Sequence, residues 1–389
     1  MSILHSVKLE PCSNEDYLQL LNALDNAFGF KEKFWFSRNM AHIYPSPDNI
    51  DSDRIRNNLI VKHSGEIIGC IGIFPFEIET VINNKRLVLS VGGVGSVFTA
   101  EKYRKQGIMS FMLIQAIDKM KEDGYDISWL AGDRQRYRNY GWDFAGRQYK
   151  YVIRLRDIER YFPQDLNIDT AKPAEHDLHI IENLYSRYKS KVIRNRTVWK
   201  EHFKREKLSW VMGETDGKYA YMAYYKEKPG LIHEIQGDTI AVVSLMKKHM
   251  KDNNISFMEI ICPCEESILA GLLNNISSNY SIVHNYQIRI VNEEKLWNKL
   301  LPVIRSNELI RRSESTLRYL ENIQEKELKR QMLRDVLGFN CKWESFNCEP
   351  SGCESSACEL SGSEFIPEQV KRIKDILPVN WWMSYIDAV

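Results

Sequence analysis

Between Ser96 and Ala116 the sequence reads SVFTAEKYRKQGIMSFMLIQA. The first residues suit a buried strand. From Met109 onward, Met112, Leu113, Ala116, Ile117 and Met120 recur at helical spacing, and Gly124 stands where a C-terminal cap belongs. The strand enters the helix through Tyr103-Arg104-Lys105-Gln106-Gly107-Ile108, a turn that is both basic and glycine-marked. A helix start offers unpaired N–H groups and the positive end of a dipole. Gly107 lets a ligand approach the backbone closely, and Arg104 and Lys105 add full charges. Together these features suit a phosphate. The strand at residues 95–99 has an edge that suits an extended ligand arm. A solvated basic corner has the same local pattern, so the surroundings decide.

Upstream, Ser13-Asn14-Glu15-Asp16 has the form of a capping box, and Tyr17, Leu20, Leu21, Leu24 and Phe28 follow on one helical face. Strands are predicted over 59–63, 67–74, 76–82 and 87–91, with hairpin turns at Ser64-Gly65 and Asn83-Asn84. Downstream, 127–131 reads as a buried strand. A polar turn then leads into RYRNYGW, which holds Tyr137 four residues before Gly141. A strand at 149–155 is expected to close this first unit. Residues 175–290 repeat the rhythm: a helix at 180–188, strands at 208–214, 219–226 and 230–236, a helix at 240–250 and a strand at 257–262. No basic glycine-marked turn occurs in this second unit. Helices are predicted near 296–304 and 328–337, the latter stopped by Gly338. Residues 346–364 are Ser-, Cys- and Glu-rich and read as a mobile loop. The aromatic end, ILPVNWWMSYI, reads as a terminus tied down in a pocket.

With 389 residues, two or three domains are expected. The net charge of +1 argues against a general nucleic-acid binder. No run is apolar enough for a membrane span, and residues 1–17 lack a signal-peptide core, so a cytoplasmic location is expected. The eight cysteines then read as free thiols. Cys341, Cys348, Cys353 and Cys358 are spaced too irregularly for a paired-CxxC zinc site, and no metal is expected.

VFTAEKYRKQGIM followed by RYRNYGW resembles the acetyl-CoA motif and following region of the GNAT N-acetyltransferase superfamily. The family's turn, R/Q-x-x-G-x-G/A, reads here Arg104-Lys105-Gln106-Gly107-Ile108-Met109, with Met109 in place of the small last residue. The chain as a whole resembles the Eis-like (enhanced intracellular survival) branch. That implies an α+β fold of tandem GNAT-like units, with mixed, mostly antiparallel sheets flanked by helices. The implied layout is a catalytic unit over 1–157, a second, non-catalytic unit over 158–290, and a shortened sterol-carrier-like region over 291–389 with a buried C-terminus. A homo-oligomer is expected from the same resemblance.

The resemblance further implies acetyl-CoA as co-substrate, with pantetheine along Val97, Phe98 and Thr99 and pyrophosphate on the amides of Arg104, Lys105, Gln106, Gly107, Ile108 and Met109. A small-molecule or peptide amine would attack the thioester directly, with N–H groups near Val97 polarising its carbonyl. Tyr137 matches the position that protonates the leaving thiolate, and a tyrosine pKa of about 10 suits that role. Tyr140 is its local rival. The C-terminal carboxylate, on Val389, is the implied general base, with Asp387 as a second candidate. Trp381, Trp382 and Tyr385, with Phe34, Trp35 and Phe36, are candidates to wall the acceptor pocket. The alternative function is a non-catalytic acyl-CoA binding or sensing protein.

Overall fold

The computed structural model describes residues 3–82, 85–164, 167–306, 326–339 and 381–388. In chain order the first stretch carries β1 (Leu9–Pro11), α1 (Tyr17–Phe28), α2 (Trp35–Asn39), α3 (Ser52–Ile55), β2 (Asn58–His63), β3 (Glu66–Ile82), β4 (Lys85–Thr99), α4 (Ile108–Glu122), β5 (Ile127–Leu130), α5 (Arg134–Arg138) and β6 (Asp143–Phe144). There follow β7 (Gln148–Arg154), α6 (Leu155–Tyr161), β8 (Asp169–Ala171), α7 (Leu178–Ser186), β9 (Lys191–Val192), α8 (Arg196–Lys204), β10 (Leu208–Thr215), β11 (Lys218–Tyr225), β12 (Leu231–Gly237), α9 (Thr239–Asp252), β13 (Phe257–Pro263), α10 (Ile268–Ile276), β14 (Asn279–Val283) and β15 (Gln287–Ile290). Helices α11 (Glu293–Arg305) and α12 (Lys326–Val336) follow among the described residues.

Local chemistry explains the elements that frame the site. Ser13 Oγ donates to Asp16 Oδ2 at 2.8 Å and accepts from Asp16 N at 3.3 Å, which fixes the entry to α1. Gly29, at φ +74°, ends that helix in the left-handed region. Helix α4 buries Ile108, Met112, Leu113, Ala116, Ile117 and Met120. They join Ile71, Ile73 and Leu130 from the sheet in one apolar cluster. At about 2 kcal/mol for each large side chain, this face holds α4 far more firmly than its helix propensity does.

Two sheets form. The first has the order β1-β2-β3-β4-β5-β15-β6, with β9 added beside β3. The second has the order β14-β7-β13-β12-β11-β10-β8. Each contains one parallel pair bracketing a helix: β4 and β5 around α4, and β12 and β13 around α9. The α+β tandem architecture expected from sequence is present. One expectation is corrected. The strand expected to close the first unit, seen as β7, pairs with β13 and β14 in the second sheet. Its place in the first sheet is taken by β15, which pairs with β5 and β6. The two sheets thus exchange one strand each. The predicted strands 67–74 and 76–82 are also one continuous strand, β3, and β4 runs on to Thr99.

Helices α11 and α12 pack with Leu87, Leu89, Val91, Ile127 and Trp129 of the first sheet. Gly338, at φ +79°, follows α12 as predicted. The Asn83-Asn84 turn, the 346–364 segment and its cysteines lie outside the described residues. No helix among the described residues is long and apolar enough to cross a membrane.

Candidate active site

Strands β4 and β5 are paired only at Val91–Ile127, Gly92–Ser128 and Gly93–Trp129. Beyond these pairs the two strands share no register, and a cleft of about 770 Å³ opens between them. Its first-sheet wall is Val94, Gly95, Ser96 and Val97 on one side and Ala131, Gly132 and Tyr137 on the other. On its β3 side, β4 has Cys70 opposite Phe98 and Gly72 opposite Gly95. Ser96 and Val97 therefore oppose the single residue Ile71, a β-bulge that re-aims the backbone. Ser96 sits at φ +55°, unusual for a side chain other than glycine. The Tyr44 hydroxyl is hydrogen-bonded to Ser96 Oγ, and it donates to Asn58 Oδ1 at 3.1 Å. All three side chains are buried behind the bulge, so the strained residue is held from beneath.

The basic turn follows directly. Lys105 has φ +63° and Gly107 φ +83°. A Cβ on Gly107 would be strained there and would lie 3.1 Å from Leu4. Gly107 is the N-cap of α4, so the helix's first N–H groups point out beside it. Arg104, Lys105 and Gln106 are exposed, Met109 is half-buried, and Ile108 is buried in the core. Arg104 Nε reaches the Thr99 carbonyl at 3.4 Å. Thr99 Oγ1 is buried without a hydrogen-bond partner. The Phe98 side chain packs into the core with α1, so only its backbone faces the strand edge. The strand edge and the helix start lie close together in the chain, and an unpaired helix start beside basic residues suits an anionic group.

Tyr137 stands on α5, whose N-cap Asp133 accepts from Gln135 N at 3.0 Å. Its ring lies over Gly132, where a Cβ would come 2.6 Å from the ring. Trp142 braces it edge-on, and Trp142 Nε1 donates to Ser128 Oγ at 3.1 Å. Burial raises the Tyr137 pKa above the usual tyrosine value. Its hydroxyl makes no hydrogen bond to another described residue, which leaves its proton available to a ligand. Tyr140 is different: its hydroxyl donates to Ser110 Oγ at 2.7 Å, tying α5 to α4.

The remaining walls come from elsewhere in the chain. Phe28, Phe30, Trp35 and Phe36 line one side, and the Phe30 and Trp35 rings stack at 3.8 Å. The buried Asp25 carboxylate accepts from Phe34 N at 2.6 Å and so holds this aromatic loop. Arg205, Lys207, Tyr225, Lys228 and His233 of the second sheet's side, with Tyr385 and Ala388, complete the cleft. His233 stacks on Tyr385 at 5.0 Å. Sequence reasoning missed His233, Tyr225 and Arg205, because their approach depends on the packing of the two sheets.

Three aromatic candidates are corrected. Trp381 and Trp382 do not line the cleft; they are 0% and 1% exposed and enter different apolar cores. Trp381 Nε1 donates to the Leu337 carbonyl at 3.0 Å, and Trp382 Nε1 to Gln148 Oε1 at 3.2 Å. They anchor the tail, as the tied-down terminus required. Phe34 does not line the cleft either, whereas Trp35, Phe36 and Tyr385 do. Asp387 is also no free base. It is buried, takes two hydrogen bonds from Arg194 and lies 3.2 Å from His202 Nε2. Its pKa is held down at about 2: burial alone would raise it, and Arg194 and His202 outweigh that. Val389 lies outside the described residues; its neighbour Ala388 lines the cleft.

The second sheet repeats β-strand, helix and parallel β-strand without the turn. β12 ends at Gly237, and α9 begins two residues later behind Asp238. Asp238 puts a carboxylate where an anion would sit, and it pairs with Arg187 at 3.1 Å.

The first sheet's architecture agrees with comparisons to known proteins. Residues 8–145 match the family model described as an Acetyltransferase (GNAT) domain. This GNAT match spans β1 through β6, including the first-sheet wall of the cleft, the bulge and the basic turn. Solved structures share the tandem fold. A GCN5-related N-acetyltransferase from Kribbella flavida is 13% identical, with a TM-score of 0.54 over 73% of this chain and 72% of that one. A probable N-acyltransferase of unknown function from Enterococcus faecalis is 15% identical, with a TM-score of 0.54 over 75% and 74%. A GCN5-related N-acetyltransferase from Anabaena variabilis is 17% identical, with a TM-score of 0.51 over 74% and 73%. At these identities the likeness shows the fold. No curated protein sequence matches the chain.

Proposed function

We propose that the chain is an acetyl-CoA-dependent N-acetyltransferase of the Eis-like type, active in its first sheet. The observation that carries this reading is the β4–β5 opening, with a strained bulge on one lip and Tyr137 on the other, and a basic helix start that follows β4 outside the cleft's lining. The co-substrate supplies an acetyl thioester. The β4 edge at Val97, Phe98 and Thr99 would bind its pantetheine arm, and the amides from Arg104 to Met109 its pyrophosphate. The bulge N–H near Val97 would polarise the carbonyl. The acceptor nitrogen then bonds to that carbon as the C–S bond breaks. Tyr137, protonated at neutral pH, would give its proton to the departing thiolate.

The acceptor nitrogen must lose a proton. The Val389 carboxylate is the candidate base. Two observations support it: Ala388 lines the cleft, and Asp387 is fixed by Arg194 and His202. In this reading the second unit is structural, since Asp238 opposes an anion at α9. The sterol-carrier-like reading of the third region belongs to the same proposal.

Calorimetric titration of the full chain with acetyl-CoA, alongside thiol release across a panel of amines, tests the reading. Binding and turnover, both lost in Arg104→Ala with Gly107→Glu, are expected. Binding without turnover on any amine would favour the acyl-CoA sensor. No binding would reduce the turn to a basic corner.

A further inference from the structure

The charges lining the cleft are unequal. Arg136, Arg205, Lys207 and Lys228 face it, against Asp133 and Glu227. Asp133 is engaged as the cap of α5, and Glu227 lies 3.1 Å from Lys207. Arg205 and Lys228 have no carboxylate partner among the described residues. Lys228 is exposed at the rim. Arg205 is only 5% exposed, at the floor. Its Nε donates to the Asn39 carbonyl at 2.6 Å, Nη1 to the Ile386 carbonyl at 2.6 Å and Nη2 to the Tyr225 hydroxyl at 2.7 Å.

All three acceptors are neutral. They satisfy geometry but not charge, and a guanidinium has further donors to spare. The neighbouring carboxylates of Asp387 and Glu234 are already taken by Arg194. A buried cation with no counter-ion among the described residues is costly, and the one further carboxylate this reading brings to the cleft, that of Val389, is assigned to the acceptor nitrogen; an arriving anion would supply the charge. His233, which lines the same cleft, reports the same field: burial, then Arg205 and Lys228, hold its pKa down at about 4.

We propose that the second-sheet wall of the cleft is a subsite for an anionic group on the acceptor, a carboxylate or a phosphate, with Arg205 at its floor and Lys228 at its rim. This rests on the acetyl-transfer reading. The acceptor is then an amine bearing an acid group at its far end, such as an amino acid or an aminoalkyl phosphate, and not a polycation. The phosphates of acetyl-CoA do not account for the wall, because none of residues 104–109 lines this cleft. The stacked Phe30 and Trp35 rings suit an apolar body between the two ends.

The test is thiol release by the full chain with matched acceptors: an amino acid against its amide, and aminoethyl phosphate against ethanolamine. The acidic member should be preferred by about tenfold in kcat/KM, and the preference should shrink in high salt. The two pairs separate a carboxylate from a phosphate. Lys228→Glu, an exposed change, should cut or reverse the acid-to-neutral ratio by about tenfold. Arg205→Lys should cut the same ratio while keeping a cation; its thermal unfolding is recorded alongside. Equal or better turnover of neutral and cationic amines overturns the subsite, as does a ratio unmoved by Lys228→Glu. Absence of thiol release with every amine, with acetyl-CoA bound, overturns the transfer reading and the subsite with it.

Discussion

Arg194 holds Asp387 by two hydrogen bonds, Nε to Oδ1 at 2.7 Å and Nη2 to Oδ2 at 2.8 Å. The same guanidinium also clasps Glu234, whose Oε1 accepts from the Tyr221 hydroxyl at 2.9 Å. The pair is buried, so each partner depends on the other for its counter-charge. Asp387→Asn should lower the unfolding free energy by about 3 kcal/mol. It should also lower turnover, because the chain end loses its anchor beside the cleft. Denaturant unfolding and thiol release measured together check this. A stable variant with normal turnover would remove any role for the anchored terminus.

Tyr137→Phe separates chemistry from binding. The hydroxyl has no partner among the described residues, so its loss should leave the unfolding temperature unchanged. The expected drop in kcat is about a hundredfold or more, with acetyl-CoA affinity little altered. Burial raises the hydroxyl's pKa, so the acid form persists through neutral pH. The wild-type rate should therefore show no falling limb from this group below pH of about 10. Undiminished kcat would pass the acid role to another group.

The hydrogen bond of Tyr44 to Ser96 makes the bulge testable. Among the described residues the Tyr44 hydroxyl is the one side-chain hydrogen-bond partner of Ser96, which sits at φ +55°; Tyr44→Phe removes it and should cost about 1 kcal/mol of stability. It should also slow turnover, since the bulge N–H groups are no longer fixed. Ser96→Gly adopts the same φ without strain. In a double-mutant cycle the two changes should couple by about 1 kcal/mol. Additive effects would show that the bulge is held by the strand ladder alone.

Acid should destabilise the protein through its buried histidines. Burial holds His233 and His202 at about 4, below their ordinary 6.5. As pH falls below 6.5, the unfolded chain takes these protons while the folded chain does not. Stability is full above that pH and is lost as pH falls toward 4, by up to about 3 kcal/mol for each histidine. Urea unfolding at pH 7 and pH 5 measures it. The loss should be smaller in His233→Gln; an equal loss would assign the effect elsewhere.

The strand-to-helix core of the site was legible because its signals are local. Gly107, the basic pair and the α4 apolar face lie within one short stretch. Tyr137 was reachable through Gly141, which sits at φ +86° in the turn after α5. What failed depends on partners far along the chain. The apolar pattern of Gln148–Arg154 is the same whichever sheet it joins. Adjacent tryptophans such as Trp381 and Trp382 point into different cores, and sequence does not say that both are internal. Asp387 looks like a free carboxylate until Arg194 and His202 are folded against it. Ser96 carries no local sign of its positive φ.

The exchanged strand has a consequence during synthesis. Strand β5 cannot gain its neighbour β15 until the ribosome has made everything between Phe144 and Gln287. Until then the nascent first sheet presents an open edge, the kind of surface on which strands from other chains pair. No early-finished amino-terminal half can leave as a working unit. Stalling between residues 144 and 287 should therefore yield aggregates, and the growing chain must be shielded for most of its translation.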